Sequence, residues 1–191
     1  MTEVGLFFGS FNPIHTGHMI IAQTMFEYSS IEELWFIVSP QNPFKKTKSL
    51  LHEFDRYDMV EVAIRENPKF KVSDIEFNMP KPSYTIDTLT LLSEKHPDKK
   101  FRLIMGGDNM KNFHKWKNSE MILKNYGLLV YPRPNQDKAS LVKHSNIEYI
   151  ESPMLDISAT FIRNAIKKGH SIKYLVPESV ESYIDRKGLY R

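Results

Sequence analysis

The sequence predicts an α/β fold: a doubly wound parallel sheet with helices on both faces and a helical segment at the C-terminal end. Three observations predict it. Short, nearly continuous apolar runs such as Leu34 to Val38 ("LWFIV") and Phe101 to Met105 ("FRLIM") read as strands covered on both faces. Stretches with apolar residues at helical spacing alternate with them, the order expected of a sheet joined by crossover helices. The 191 residues hold no internal repeat or low-complexity tract, so a single domain over 1–191 with a real core is expected.

The elements follow in order. Val4 to Gly9 is a short buried strand bounded by glycine, and His18 to Ser29 carries helical spacing. Leu34 to Val38 is the second strand, ending in the Pro/Asn-rich basic loop "SPQNPFKK". Leu50 to Asn67 reads as an amphipathic helix, and "FKVSDIEF" as a third strand. A helix over Ile86 to Lys95 has Ser83 or Thr85 as its candidate N-cap. Phe101 to Met105 is closed by Gly106-Gly107-Asp108, read as a turn. A helix over Ser119 to Asn125, a fifth strand "GLLVYPR" and a last strand "IEYIESP" follow, with a polar surface loop from Pro134 to Asn146 between the two strands. "ISATFIRNAIKKG" reads as a helix stopped by Gly169, and "PESVESYIDRKG" as a final one with Pro177 near its start and Gly188 after its end.

Composition narrows the function. Hydrophobic residues at 41% and charged residues at 26% fit a soluble globular chain, and no apolar run nears the ~20 residues of a membrane span. The start lacks a basic n-region, so no signal peptide is expected. The absence of cysteine excludes disulfides, thiolate catalysis and cysteine-bound zinc, and fits a cytoplasmic protein. A net charge of +3 suits phosphate-bearing small molecules in a local site; no basic-aromatic stripe marks a nucleic-acid binder.

In parallel sheets, ligands bind beyond the carboxyl ends of the strands. "GSFNPIHTGH", "SPQNPFKK", "GGDN" and "YPRP" each follow a strand, so all four should open onto one edge. In the first of them, Gly9 lacks a Cβ and would let a phosphate approach the backbone. Gly17 and His18 fall where the next helix begins, and N–H groups at a helix start attract anions. His15 and His18, three apart, converge if the helix begins near His15, making a clamp for a triphosphate. The loop matches neither the G-x-x-x-x-G-K-[ST] nor the G-x-G-x-x-G pattern, and no third ligand or HExxH pattern accompanies the histidines. Ser158 is a good N-cap, and Arg163, one turn inside that helix, can reach phosphates with a planar fork.

"GSFNPIHTGH" resembles the (T/S)-F-(D/N)-P-x-H-x-G-H signature of the nucleotidylyltransferase superfamily, a Rossmann-like group. Ile157 to Arg163, "ISATFIR", resembles its second signature, I-S-S-T-x-x-R, about 140 residues later. The second serine is Ala159 here, so that hydroxyl is dispensable while the backbone N–H survives. The resemblance implies His18, His15 and Arg163 as catalytic residues, with ATP contacts from Gly9, Ser10, Phe11, Gly17, Ser158 and Thr160. It adds Gly106 and Asp108 at the ATP sugar and phosphates, and Arg133 near the nucleotide.

"PSYTIDTL", "GGDNMKNFHKW", "LLVYPRP" and "YIDRKGLYR" extend the likeness over essentially the whole chain, toward the bacterial nicotinate-nucleotide adenylyltransferases. That resemblance implies transfer of the adenylyl group of ATP to nicotinate mononucleotide in NAD biosynthesis, with Mg²⁺ bound through the ATP phosphates and no protein metal site. Trp116 would then stack on the pyridine ring, Thr85 would meet the carboxylate, and Lys45 and Lys46 would hold the mononucleotide phosphate. The alternatives are a related enzyme acting on nicotinamide mononucleotide or another phosphate acceptor, and a non-catalytic nucleotide-binding regulator. No nucleic-acid or membrane partner is expected.

Overall fold

A computed structural model describes residues 1–40, 50–132, 144–153 and 155–191. Its strands are β1 (Thr2–Gly9), β2 (Glu33–Val38), β3 (Phe70–Ser73), β4 (Lys99–Gly106), β5 (Leu128–Tyr131) and β6 (Ile147–Tyr149). They form one parallel sheet in the order β3-β2-β1-β4-β5-β6. The helices are α1 (Thr16–Glu27), α2 (Glu53–Ile64), α3 (Thr85–Lys95), α4 (Gly107–Phe113), α5 (Ser119–Asn125), α6 (Ala159–Lys167) and α7 (Glu178–Lys187). Among the described residues, no helix is long and apolar enough to cross a membrane.

The strand alternation splits the core in two. Leu34, Phe36 and Val38 of β2 face one cluster, which α1, α2, α6 and α7 cover; Trp35 and Ile37 face the other, under α3, α4 and α5. Both faces are buried, which explains the near-continuous apolar runs of the strands. The strand order reverses between β1 and β4. Chains leaving those neighbouring strands turn to opposite faces, opening a crevice at their carboxyl ends.

Several boundaries differ from the sequence reading. The third strand stops at Ser73, because Asp74 to Met79 turns back on itself through the Phe77 N–H to Asp74 carbonyl bond (2.8 Å) and carries Glu76 inward. The last strand likewise ends at Tyr149. Glycines after β4 do not make a simple turn: Gly106 is the N-cap of α4 and Gly107 its first residue, with Asp108 in the first turn where a negative charge is favoured. Neither Ser83 nor Thr85 caps α3. Tyr84 is its N-cap, in extended backbone, and receives the Asp87 and Thr88 N–H groups on its carbonyl.

Candidate active site

The first loop begins at the end of β1. Phe11 sits in left-handed backbone (φ 43), a conformation side chains disfavour. Its ring is buried, edge-on to Phe7, Phe36 and His18. A Cβ on Gly9 would stand 2.7 Å from that ring. The missing Cβ therefore admits Phe11 rather than standing open for a phosphate, and Phe11 has only its backbone left to offer a ligand.

His15 is the N-cap of α1, so the helix does start where the two histidines can converge. Their rings stack, centroids 3.7 Å apart and 27° from parallel. Gly17 makes this possible: a Cβ there would meet His15 Nδ1 at 3.1 Å. The spacing H-x-G-H thus has a local reason, since the glycine leaves room for the first ring to fold back onto the second.

The His15 N–H donates to His18 Nδ1 at 3.3 Å, which leaves the His18 proton on Nε2. Burial lowers the His15 pKa to about 4. Burial and the neighbouring His15 ring hold His18 well below its ordinary value too. In the free protein both rings are therefore neutral donors and acceptors near pH 7. His15 Nδ1 is buried without a well-formed hydrogen bond; its ring folds over the start of α1, facing the His18 N–H in the manner of a capping box.

The anion-binding N–H groups of α1 are fewer than expected. Thr16's goes to the Leu175 carbonyl (3.0 Å) and His18's to the His15 carbonyl (2.9 Å), leaving Gly17's. At α6, the Ser158 hydroxyl does cap the helix, accepting from the Phe161 N–H at 3.2 Å. That leaves the Ala159 and Thr160 N–H groups to face a ligand. Arg163 donates to the Asn12 carbonyl at 2.8 Å and to the Thr160 hydroxyl at 3.1 Å, tying the second signature to the first loop.

These groups line one cavity of about 440 Å³ at the switch point. Gly9, Ser10, Phe11, His15, Gly17, His18, Ser158, Thr160 and Arg163 all border it, with Asn109, Tyr131, Leu155 and Ile157. Gly106 and Asp108 stand at the end of β4 beside it without lining it. Thr85 and Trp116 lie on the other face of the sheet's edge. Lys117 pairs with Asp87 at 2.8 Å, joining the Trp116 segment to the first turn of α3, and the Trp116 ring packs on Phe113. Lys45, Lys46 and Arg133 lie outside the described residues.

Sequence reasoning missed Glu76. It is buried, and its Oε1 accepts from the Thr88 hydroxyl in α3 at 2.7 Å. Its Oε2 has no well-formed partner, although the Ser39 and Ser83 hydroxyls lie near enough to offset part of the burial that raises its pKa. No sequence signal could have found it, because the "SDIEF" stretch alternates like a strand. The folded chain favours the neutral carboxyl more than the unfolded chain does. Its burden on stability is therefore absent below the ordinary value of 4.5 and grows as pH rises through the raised folded value. Glu76→Gln is expected to raise Tm at pH 8 by about 2–4 °C, the shift ~1 kcal/mol makes in a chain of this size. The gain should vanish near pH 4; an equal gain at both pH values in thermal unfolding would remove ionisation as its cause.

Fold and cavity together define a nucleotidyltransferase of the cytidylyltransferase-like class, and that family's sequence pattern matches residues 6–165. The chain is 58% identical over 182 residues, 95% of each chain, to a protein of Cytophaga hutchinsonii named probable nicotinate-nucleotide adenylyltransferase. It is 47% identical over 191 residues, 99% of each chain, to a Flavobacterium johnsoniae protein of the same name. The chain belongs to the nicotinate-nucleotide adenylyltransferase family. Its fold is also that of the Plasmodium falciparum nicotinic acid mononucleotide adenylyltransferase solved in complex with NaAD, with a TM-score of 0.82 at 22% identity over 100% of this chain and 98% of that one.

Proposed function

We propose that this protein, acting as one domain over residues 1–191, transfers the adenylyl group of ATP to nicotinate mononucleotide, giving nicotinate adenine dinucleotide and pyrophosphate. The observation that carries the reading is the stacked His15–His18 pair at the switch point, opposite the start of α6 across one cavity. The acceptor phosphate attacks the α-phosphorus in line. A phosphate monoester, with a second pKa near ~6, is largely dianionic at neutral pH and needs no general base. His18 Nε2–H donates to an α-phosphate oxygen as charge builds there, and His15 supports it. Arg163 and the Ala159 and Thr160 N–H groups take the β- and γ-phosphates, with Ser158 holding that helix start in shape. Gly106 and Asp108 meet the ATP sugar and phosphates from the end of β4. Mg²⁺, carried on the ATP phosphates, would neutralise charge on the leaving pyrophosphate; among the described residues no group of three His, Asp or Glu gathers to hold an ion itself.

On the acceptor side, Thr85 meets the pyridine carboxylate and Trp116 stacks on the ring, a pairing that the Lys117–Asp87 bridge supports. Lys45 and Lys46 for the mononucleotide phosphate, and Arg133 for ATP, rest on the resemblance alone. We place the reaction in the cytoplasm, in keeping with a chain without cysteine.

The test is pyrophosphate release with ATP, Mg²⁺ and either nicotinate mononucleotide, nicotinamide mononucleotide, phosphopantetheine or no acceptor. Strong preference for the nicotinate compound supports the reading. Equal use of acid and amide overturns the acceptor assignment, and silence in every tube overturns the enzyme reading. The neutral histidines add a second expectation. A triphosphate beside them raises their pKa, so ATP binding near pH 6 should take up a fraction of a proton, and at pH 8 almost none. Calorimetry in buffers of different ionisation enthalpy, run on wild type and His18→Ala, separates this from titration of the terminal phosphate; a proton balance at pH 6 that His18→Ala leaves unchanged would exclude His18 as the group that takes up the proton.

A further inference from the structure

Arg56 of α2 is fully buried, yet none of the groups it hydrogen-bonds is a carboxylate. Nε donates to the Leu51 carbonyl at 3.0 Å, Nη1 to those of Ser10 (2.6 Å) and Ser39 (2.8 Å), and Nη2 to that of Pro40 (3.1 Å). Burial lowers its pKa from the ordinary value, but a guanidinium stays charged. A buried cation that hydrogen-bonds four main-chain carbonyls fixes the segments carrying them, since each carbonyl would lose its partner if the guanidinium were removed.

The four carbonyls come from particular places. Ser10 follows β1 and borders the cavity assigned to ATP. Ser39 and Pro40 follow β2, and the Ser39 hydroxyl lies beside Glu76, whose Oε1 holds Thr88 in the first turn of α3. That turn is the acceptor side. One planar fork thus joins Ser10, on the ATP side, to Ser39, which Glu76 links to the acceptor side, and both bonds run from the single nitrogen Nη1.

We propose that Arg56 is a positioning residue for adenylyl transfer, its guanidinium fixing Ser10 after β1 against Ser39 and Pro40 after β2 so that acceptor phosphate and ATP meet in line. This rests on the adenylyl-transfer reading above. Each substrate keeps its own contacts when the clasp is loosened, so the loss falls on alignment. Small misplacement of reacting groups costs rate far more than affinity.

The experiment compares wild type, Arg56→Lys and Arg56→Gln, each checked for folding by circular dichroism and thermal unfolding. It measures kcat, both KM values and the binding of ATP and of nicotinate mononucleotide separately. Lysine keeps the charge without the fork, and glutamine keeps a planar donor without the charge. Expected is a kcat lower by roughly 10–100-fold in folded Arg56→Lys, with a larger loss in Arg56→Gln, while each KM and each single-substrate affinity stays within about threefold of wild type. A folded Arg56→Lys with wild-type kcat overturns the proposal. So does a loss confined to one substrate's KM, and so does failure of both variants to fold, which would assign Arg56 to folding alone. An inactive wild type would instead overturn the adenylyl-transfer reading itself.

Discussion

His18→Ala is expected to lower kcat by roughly 10²–10³-fold, the usual cost of removing one donor aimed at developing charge. The Kd for ATP should rise by less than about tenfold, because Arg163 and the α6 N–H groups remain and the donor acts chiefly in the transition state. The geometry makes the imidazole specific for this task. Its Nδ1 is occupied by the His15 N–H, so Nε2 can only donate, and burial keeps the ring from ionising in the free enzyme. His18→Asn, which retains a side-chain donor, should recover part of the loss. Steady-state kinetics with ATP binding measured separately decides the matter: near-wild-type turnover in His18→Ala would remove the residue from the chemistry, and a loss seen only in ATP affinity would reduce it to a binding group.

Gly9→Ala is expected to destabilise the protein by about 1–3 kcal/mol, the range for overpacking a filled site. At ~2–4 °C per kcal/mol in a chain of this length, Tm falls by several degrees. The new methyl would lie 2.7 Å from two atoms of the Phe11 ring and 3.0 Å from a third. That ring cannot easily yield, being 2% exposed and packed against Phe7, Phe36 and His18. Any retreat moves the Ser10–Asn12 backbone, and with it the Asn12 carbonyl that Arg163 holds. At least a tenfold fall in kcat/KM should accompany the loss of stability, since such shifts reach about 10²-fold elsewhere. Differential scanning calorimetry and kinetics on one preparation test this. A variant with the parental Tm and turnover would show that the loop absorbs the methyl without moving.

The two variants probe one loop for different reasons, and they separate in readout. His18→Ala removes a donor from the cavity wall together with a ring packed on His15 and Phe11, so some loss of Tm accompanies a fall in kcat far larger than that loss explains. Gly9→Ala removes no functional group but displaces the loop that positions them, and should move Tm and kcat/KM together. Gly17 belongs with Gly9, as a residue whose missing Cβ makes space for a neighbouring ring.

Much of the fold was legible because its causes are local. Strands buried on both faces must be apolar along their length, and helices over them must be amphipathic, so the alternation could be read directly. Ser119–Asn125 matches the expected helix to the residue, and Ser158 caps α6 as its hydroxyl suggested. Helix α4 was hidden, since paired glycines look like a turn until Gly106 is seen as a cap. The third strand's last residues were misleading because turn and strand share the same alternation over so short a span.

By itself, the sequence determined the doubly wound class and the two signatures whose histidines, Ser158, Thr160 and Arg163 border one cavity. The tertiary structure alone decided what those groups are. Burial, not residue type, makes both imidazoles neutral, with Phe7 and Phe11 packed edge-on against His18 and His18 stacked on His15. Arg56 and Glu76 carry no sequence signal because their partners, Ser10 and Thr88, are remote in the chain; Asn12 stands in the first signature, yet its bond from the Tyr190 hydroxyl, 2.8 Å away, spans nearly the whole chain. A strand order that reverses between β1 and β4 brings such distant segments to one edge, and the physics of a buried polar group then fixes which of them must meet.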